Sequence, residues 1–275
     1  MARRALGASK AGHTGTLDPF ATGLLPLVFG EASKFSRFLI DSTKAYEATL
    51  CLGRETETGD PEGTVREVSS EIPNSTKITE VGSMFVGDIE QIPPMHSALH
   101  VDGKRLYEYA REGRTVVRQP RQVHVFELKI TKVVGPQVDL RVVCSKGTYV
   151  RVLAADLGRA LGCGAYLTAL RRTAVGSFRI EDAVTLESLG AAGEAGARKR
   201  LLPVESLVAA LPRLELAPEA EVRFRHGQAI AIAAVPGALA VFGERGGFLG
   251  VGEAQGDFVA PLRLMAEAPK SPDFA

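Results

Sequence analysis

The sequence predicts an α/β protein that ends in a small all-β domain. The segment KAYEATLCLG (44–53) alternates apolar and polar residues with the period of a half-buried strand. The segment YVRVLAADLGRALG (149–162) instead repeats its apolar residues at helical spacing and ends at a glycine. After Pro212 the chain becomes a series of short apolar runs separated by Gly and Pro, which is typical of hairpins. We therefore place a domain boundary near Leu211.

The first half of the chain predicts further elements in order. LLPLVFG (24–30) indicates a short buried strand, and EASKFSRFLIDS (31–42) indicates a helix with its aromatic residues on one side. The segment from Ile78 to Ile89 is a plausible helix. QIPPMHSAL (91–99) is expected to be extended, because each proline disfavours a helical conformation at the preceding residue.

The middle of the chain predicts a charged excursion followed by regular elements. KRLYEYAREG (104–113) has apolar residues at helical spacing and Gly113 to stop the helix. With the basic segment after it, this helix forms an excursion that carries Arg111, Arg114, Arg118 and Arg121. QVDLRVVCS (137–145) predicts a strand, whereas the Ala- and Gly-rich residues 190–200 predict a loose connector.

Charge is distributed unevenly along this chain of 275 residues. The formal net charge is +1, but residues 91–179 contain 15 Lys and Arg against 6 Asp and Glu. A nucleic-acid phosphate backbone is the usual partner of such a basic region, although an ordinary solvated surface can also carry the excess. No apolar run approaches the roughly 20 residues of a membrane span, and the start lacks the apolar stretch of a secretory signal.

Several common sites are not expected. Cys51, Cys144 and Cys163 lie far apart, which argues against a disulfide framework and fits a reducing cytoplasm. His96 and His100 are four residues apart, but they follow two prolines and enclose no Glu, so a metal site is not predicted. GVGEAQG (250–256) lacks the spacing of a dinucleotide-binding loop, and the chain has neither a P-loop nor a nucleophile-elbow serine.

The segment GHTGTLDPFATG (12–23) places Asp18 before a proline in a glycine-rich stretch. Asp before Pro ordinarily belongs to a turn, with the carboxylate accepting a backbone N–H. Three other segments, KAYE, CSKGTYVR and LRRTAVGSF, supply tyrosines and arginines. The residue pattern alone is compatible with an active site and with a structural network of arginines and carboxylates.

These segments resemble the TruB family of tRNA pseudouridine synthases. KAGHTGTLDPFATGLLP is similar to the family's catalytic motif, and the similarity continues in the family's order through four further segments. They are KAYEATLCLGRETETGDPEG, DIEQIPPMHSALHVDGKRLYEYAREG, CSKGTYVRVLAADLGRALGCGAYLTALRRTAVGSF and FLGVGEAQGDFVAPLRL. The resemblance implies an α/β (α+β) catalytic domain with a mixed, mainly antiparallel sheet at 1–210 and a PUA-like RNA-binding β-barrel at 211–275. A thumb-like insertion at about 94–122 would bind phosphates without reading sequence.

The implied reaction is isomerisation of a T-loop uridine, position 55, in the T arm of tRNA, with no metal or organic cofactor. The uridine would be flipped out of its stack, and the carboxylate of Asp18 would act on the nucleoside. Attack at C1′, attack at C6 and removal of a ribose proton are all compatible with a carboxylate. Arg151 matches the arginine that pairs with Asp18 and keeps it ionised. Tyr46 matches the tyrosine that stacks on the flipped base and is the candidate for handling the C5 proton.

The resemblance also implies a set of substrate-binding residues. They are His13, Lys44, Arg111, Tyr149 and Leu170. Without the family, Tyr149 and Leu170 would be interpreted as core residues and His13 as part of a turn.

Two departures from the family pattern lead to further expectations. The family carries an opening strand before the catalytic motif, whereas Met1 lies ten residues before Ala11. We expect either a start placed downstream of the true one or a truncated form whose central sheet lacks a strand. His96 and His100 stand where relatives often have a tyrosine and a lysine, which would alter RNA contact.

Two rival functions remain open. One is a tRNA-binding or folding factor with weak or lost catalysis, and the other is a guide-RNA-dependent relative. Retention of Asp18, Tyr46 and Arg151 favours an enzyme, and the insertion favours a stand-alone one. We therefore expect a monomeric, cytoplasmic tRNA-modifying enzyme that needs no protein partner.

Overall fold

The computed structural model describes residues 1–266, in which short helices are interspersed among many strands. The strands are β1 (Ala11–His13), β2 (Thr22–Gly23), β3 (Leu27–Phe29), β4 (Lys44–Leu52), β5 (Arg54–Thr56), β6 (Val65–Glu67), β7 (Gly87–Gln91), β8 (His100–Val101), β9 (Lys104–Arg105), β10 (Arg121–Val134), β11 (Gln137–Cys144), β12 (Ala165–Val175), β13 (Phe178–Arg179), β14 (Arg213–Leu216), β15 (Ile230–Ala231), β16 (Gly237–Gly243), β17 (Phe248–Gln255) and β18 (Phe258–Leu264). The α-helices are α1 (Ala2–Ala5), α2 (Ser36–Ile40), α3 (Ser75–Ser83), α4 (Leu106–Arg111), α5 (Val150–Ala160), α6 (Leu186–Ala191), α7 (Gly193–Arg198) and α8 (Pro218–Arg225). Short 3-10 helices occupy Gly30–Phe35, Ile180–Asp182 and Val204–Val208.

The chain divides into two compact units. Residues 16–25 and 41–183 form one, which we call the central unit. Residues 1–15 and 26–40, with the described residues from 184 to 266, form the other, which we call the terminal unit. The predicted boundary near residue 211 stays a prediction.

The central unit is built on a seven-stranded sheet. Its strands run in the order β13-β12-β4-β11-β10-β7, and β2 pairs beside β12. Only the β2 to β12 pairing is parallel among these seven strands, so the predicted mixed, mainly antiparallel sheet is confirmed. The strand predicted at β4 is confirmed, and its alternation holds in part: Ala48, Leu50 and Leu52 are buried and Glu47 is exposed, whereas Cys51, expected on the polar side, is also buried.

Helices α3 and α5 cover the apolar face of this sheet. Ile78 of α3 and Leu153 and Leu157 of α5 are buried in the same cluster as the β4 residues. Helix α5 approaches β12 very closely at Gly158, where an added Cβ would lie 2.2 Å from the backbone nitrogen of Ala165. The predicted helix and its stop after 161 are therefore confirmed, and the spacing that predicted them is the spacing of core contacts.

Three local predictions are wrong in whole or in part. The helix expected to Ile89 ends at Ser83, because Gly87 adopts φ +107° and Ile89 then pairs with Val123 in the sheet. The connector expected at 190–200 instead contains the end of α6 and all of α7, and these two helices bury Leu189 and Ala197 respectively. The helix expected at 31–42 is 3-10 in its first half and becomes α2 only at Ser36.

The spacing of apolar residues did not predict the two longest strands, β10 and β12. Each contains two register shifts at bulges, for example between Val125 and Glu127 and between Arg172 and Ala174. A bulge changes which side chains face the core, so the period of two is lost along the strand.

Between β7 and β10 lies the segment predicted as a thumb-like insertion. It contains a small hairpin of β8 and β9 followed by α4. Leu106 and Tyr109 of α4 are buried, and Gly113 adopts φ +69° just after the helix. The predicted short helix with a glycine stop is confirmed.

The terminal unit contains a five-stranded sheet in the order β14-β16-β17-β18-β15, curled into a half-barrel. The expected hairpins are β16 to β17 and β17 to β18, while β14 pairs in parallel with β16. A helix, α8, was not expected there; it starts at Pro218 and buries Phe224 in the sheet's core. None of the helices among residues 1–266 is long and apolar enough to cross a membrane.

Candidate active site

Asp18 lies in a turn of the central unit, but its carboxylate does not close that turn. The main-chain carbonyl of Asp18 accepts from the N–H of Ala21 at 2.9 Å, with Pro19 at the second position of the turn. The side chain instead meets the guanidinium of Arg151, 133 residues away in the sequence. The ordinary interpretation of Asp before Pro therefore describes the backbone here, and the carboxylate has a separate role.

Arg151 is the second residue of α5, and its guanidinium donates four hydrogen bonds and forms an ion pair with Asp60. Nε donates to Asp18 Oδ2 and Nη2 donates to Asp18 Oδ1, both at 2.9 Å. Nη2 also donates to the carbonyl of His96 at 2.7 Å. Nη1 donates to the carbonyl of Thr58 at 3.0 Å and lies 3.2 Å from Asp60 Oδ2. A guanidinium has five donors in a fixed fork, so its orientation is fully determined.

Exposure differs sharply across this cluster. The Arg151 side chain is 4% exposed and that of Asp60 is 2%, whereas the Asp18 side chain is 32% exposed. A buried cation needs paired anions, and Asp60 supplies one on the closed side. The carboxylate of Asp18 is therefore held from beneath by a buried cation and remains accessible from the other side.

Asp60 is a functional candidate that sequence reasoning missed. Its Oδ1 accepts from the Thr58 hydroxyl at 2.5 Å and from the N–H of Glu62 at 3.0 Å, while Oδ2 faces Arg151. In the sequence it belongs to the polar loop RETETGDPEGT. The available signal was a second Asp-Pro pair in a glycine-containing loop, like the one at Asp18.

The Asp18 turn is fastened to β12 by Arg172. This side chain is 2% exposed, and its Nε donates to the carbonyl of Leu24 at 2.8 Å. The N–H of Leu24 in turn donates to the carbonyl of Arg172 at 2.8 Å. Gly23 permits this approach, because it has φ +106° and an added Cβ would lie 2.3 Å from the Arg172 oxygen. The backbone that carries Asp18 is thus anchored a few residues downstream.

Tyr46 lies on β4, on the same side of the sheet as the core residues Ala48 and Leu50. Burial raises the pKa of Tyr46, and the charge of Asp18 also acts to raise it, while Arg172 opposes both through a hydrogen bond. The phenol is therefore neutral at neutral pH.

Two further predicted residues lie on elements that carry the site. Leu170 is buried on β12 and pairs with Ala48, two residues from Tyr46 on β4. Tyr149 immediately precedes α5, two residues before Arg151, and is half-buried. Asp18 and Arg151 are in direct contact, while Tyr46 and Leu170 lie on the paired strands β4 and β12. Tyr149 directly precedes the helix that carries Arg151.

The remaining predicted substrate-binding residues are Lys44, Arg111 and His13. Lys44 is buried on β4, where its Nζ donates to the carbonyl of Ser42 at 2.6 Å. Burial, followed by the charge of Arg172, lowers the pKa of Lys44 from 10.5 to about 8. Arg111 is exposed at the end of α4 and stacks on Tyr107, 5.2 Å from the ring centre.

His13 belongs to the terminal unit. It is exposed on β1, and its Nδ1 accepts from the N–H of Gly15 at 3.4 Å. The substrate-binding roles of His13, Lys44 and Arg111 stay predictions.

Three protein-family models match nearly the whole chain. Residues 3–150 match "TruB family pseudouridylate synthase (N terminal domain)", and residues 151–209 match "tRNA pseudouridylate synthase B C-terminal domain". Residues 212–265 match "Pseudouridine synthase II TruB, C-terminal".

Curated relatives are similar over nearly their full length. The tRNA pseudouridine synthase B of Dechloromonas aromatica (strain RCB) is 52% identical, over 96% of this chain and 89% of the relative. The protein of the same name from Ralstonia nicotianae (strain ATCC BAA-1114 / GMI1000) is 51% identical, over 96% and 88%.

Solved structures share the fold. A chain of a Cbf5-Nop10-Gar1 complex is 26% identical with a TM-score of 0.75, covering 95% of this chain and 78% of that chain. A chain of an H/ACA RNP bound to a substrate RNA containing 2′-deoxyuridine is 24% identical with a TM-score of 0.74, covering 96% and 79%.

Proposed function

This chain belongs to the TruB family of tRNA pseudouridine synthases, and on that premise we propose that it acts on the T-loop uridine at position 55 through Asp18. The enzyme isomerises uridine to pseudouridine in tRNA. The observation that carries the proposed role of Asp18 is its geometry, an accessible carboxylate held by a buried guanidinium.

The bonds and protons of the isomerisation balance without a co-reactant. The C1′–N1 bond breaks, a C1′–C5 bond forms, C5 loses its proton and N1 gains one. A carboxylate suits each route open to it, since it can add to C1′ or C6 and leave again, or accept a ribose proton. All three routes need an ionised oxygen beside the nucleoside. The two hydrogen bonds from Arg151 orient the carboxylate and leave the opposite side of Asp18 accessible for substrate.

Tyr46, Tyr149 and Leu170 are proposed to hold the flipped base. Extrusion of a base from its stack costs about a few kcal/mol, which contacts to the extruded base must offset. An aromatic ring on β4 and an aliphatic side chain on the adjacent strand supply two such surfaces. Because Tyr46 is neutral, it can stack and pass a proton through its hydroxyl without placing a second anion near Asp18.

The thumb-like insertion is proposed to bind the tRNA backbone. Its helix α4 ends at Arg111, and Arg105 and Arg111 both lie over the ring of Tyr107, at 5.8 and 5.2 Å. Arg114 lies over the ring of Tyr109 at 5.3 Å. These contacts arrange three exposed guanidinium groups on and beside α4, where phosphates can reach them.

We further place the enzyme in the cytoplasm as a monomer that needs no protein partner. All three cysteines are free and buried, which suits a reducing compartment. Light scattering on the purified protein tests the oligomeric state, since a monomer has a mass of 29.3 kDa. A mass of twice that value would contradict the monomer.

The proposed substrate is tested with transcripts tritiated at uridine C5. The wild-type protein should release tritium equivalent to one uridine per tRNA, and release should disappear when the T-loop target uridine is replaced by cytidine. A matched transcript with a different T-arm uridine replaced should behave normally. Release that survives loss of the target would overturn the assignment to position 55, and binding without release would favour a tRNA-folding factor.

A further inference from the structure

The side-chain amide of Gln91 makes a two-point contact with the main chain of Tyr149. Its Oε1 accepts from the N–H of Tyr149 at 2.9 Å, and its Nε2 lies 3.2 Å from the Tyr149 carbonyl oxygen, to which it donates. Gln91 is 2% exposed, so these bonds form away from solvent. The two residues are 58 positions apart, on the end of β7 and at the start of α5.

This contact acts where helix α5 begins. Tyr149 is the N-terminal cap position of α5, and its side chain makes no capping hydrogen bond. The N–H groups at a helix start have no partner within the helix, and in a capping box a Glu or Gln of the same helix bonds the cap N–H. Gln91 supplies the equivalent acceptor from a neighbouring strand. It also donates to the carbonyl that accepts the first helical bond, from the N–H of Leu153 at 3.0 Å.

The chain that follows Gln91 returns to the same helix. Five residues later, the carbonyl of His96 accepts from Arg151 Nη2 at 2.7 Å. Arg118, near the other end of the insertion, donates from Nη1 to the carbonyl of Pro93 at 3.0 Å. The root of the thumb-like insertion is therefore bonded to the first residues of α5 at two places, one of them a side chain that can be altered by mutation.

We propose that Gln91 is a positioning residue for the reaction, which fixes the main chain of Tyr149 and, through the start of α5, the guanidinium of Arg151. Arg151 meets Asp18 with two bonds of 2.9 Å, and such a fork loses strength with small rotations of the helix start. The effect of Gln91 on the reaction rests on the roles proposed for Asp18 and Tyr149. The clamp itself is a property of the fold and can be measured without turnover.

The first test replaces Gln91 by methionine, which has similar length and no hydrogen-bonding amide. In Gln91→Met, the rate of tritium release with enzyme in excess should fall by about 10- to 100-fold, while the Kd for tRNA changes by less than about threefold. Gln137→Met is the matched control, because Gln137 is exposed at the start of β11 and lies outside the insertion. It should leave both quantities unchanged.

The second test uses a chemical mimic of the amide. A neutral carboxylic acid in Gln91→Glu can donate to the Tyr149 carbonyl and accept from its N–H, whereas the ionised form can only accept. The rate deficit of Gln91→Glu relative to wild type should therefore shrink as pH falls through the pKa of the introduced carboxyl, which burial raises above its ordinary value. The deficit of Gln91→Met should not change over the same pH range. A purely space-filling role of Gln91 would not produce this difference.

The third test measures hydrogen exchange. In Gln91→Met the N–H groups of Tyr149 and the first turn of α5 should exchange at least about tenfold faster than in wild type, and those of β4 should not. Unchanged exchange would overturn the clamp whether or not the protein is active. The positioning role would be overturned by a rate within threefold of wild type in Gln91→Met, or by a Gln91→Glu deficit that stays constant while the introduced carboxyl titrates. Absence of release by the wild type would instead refute the proposed function.

Discussion

Arg151 holds Asp18 by two parallel hydrogen bonds of 2.9 Å, from Nε to Oδ2 and from Nη2 to Oδ1. The arginine is almost fully buried and the aspartate is not. This asymmetry distinguishes the pair from a surface salt bridge, in which both groups are solvated and contribute little. It also differs from a sealed structural pair, since a substrate can reach one carboxylate.

Asp60 should be needed for catalysis although it is 2% exposed. Asp60→Asn removes the anion on the closed side of Arg151, so the guanidinium loses one of its two charged partners. We expect tritium release about 100-fold slower with tRNA affinity within threefold, and a lower unfolding temperature, because breaking a buried pair costs about 3–5 kcal/mol. Single-turnover assays well below that temperature check the rate. Asp156→Asn is the control, since Asp156 pairs with the exposed Arg159. A rate within threefold of wild type would exclude the requirement for Asp60.

Tyr46→Phe separates stacking from proton handling. The ring stays, whereas the hydroxyl and its hydrogen bond with Arg172 are lost. We expect unchanged tRNA binding and tritium release slowed by at least about 100-fold, the range of general acid–base contributions. Tyr166→Phe, a buried tyrosine on β12, should have little effect. If Tyr46→Phe releases tritium at the wild-type rate, the hydroxyl takes no part.

Lys44 should make stability depend on pH in a defined direction. Its pKa is lowered from 10.5 to about 8, mainly by burial. Between these values the unfolded chain binds more protons at this site than the folded one, so the unfolding free energy rises with pH in that window. Urea unfolding of wild type and Lys44→Met at about pH 7.5 and about pH 9.5 measures this. The stability difference, wild type minus variant, should increase with pH. A constant difference would show that Lys44 is not desolvated.

Arg111 should contribute to tRNA affinity through phosphate contact. Arg111→Ala should weaken binding and lower the slope of log Kd against log salt concentration by about 1, independently of the T-loop sequence. Arg66→Ala is the control, because Arg66 is exposed on β6 outside the insertion and pairs with Glu55. An unchanged salt slope in Arg111→Ala would remove Arg111 from the interface.

Local patterns predicted the parts of the fold in which one face is buried without interruption. Strand β4 and helix α5 followed from periodicity alone, since their buried residues repeat at the spacing of their element. Strands β10 and β12 did not, because bulges shift the period within each strand. Helix α8 was obscured by the glycine- and proline-rich sequence around it, although Pro218 at its first turn was a usable start signal.

The site was predictable only in part. Family resemblance selected Asp18 and Arg151, and the structure joins them, whereas residue patterns alone left a structural network open. Asp60 and Gln91 were missed because their partners are 91 and 58 positions away in the sequence, at Arg151 and Tyr149. Contacts of that separation depend on tertiary packing, and no local spacing encodes them.

The ionised carboxylate of Asp18 is tested most directly by Asp18→Asn. The amide keeps the size of the side chain and can still accept one bond from Arg151, but it carries no charge and is a poor nucleophile and base. Tritium release from C5-labelled tRNA under single-turnover conditions should fall by at least about 10⁴-fold, with tRNA affinity within a few-fold of wild type. Release by Asp18→Asn within tenfold of wild type would contradict a role for this carboxylate in the reaction.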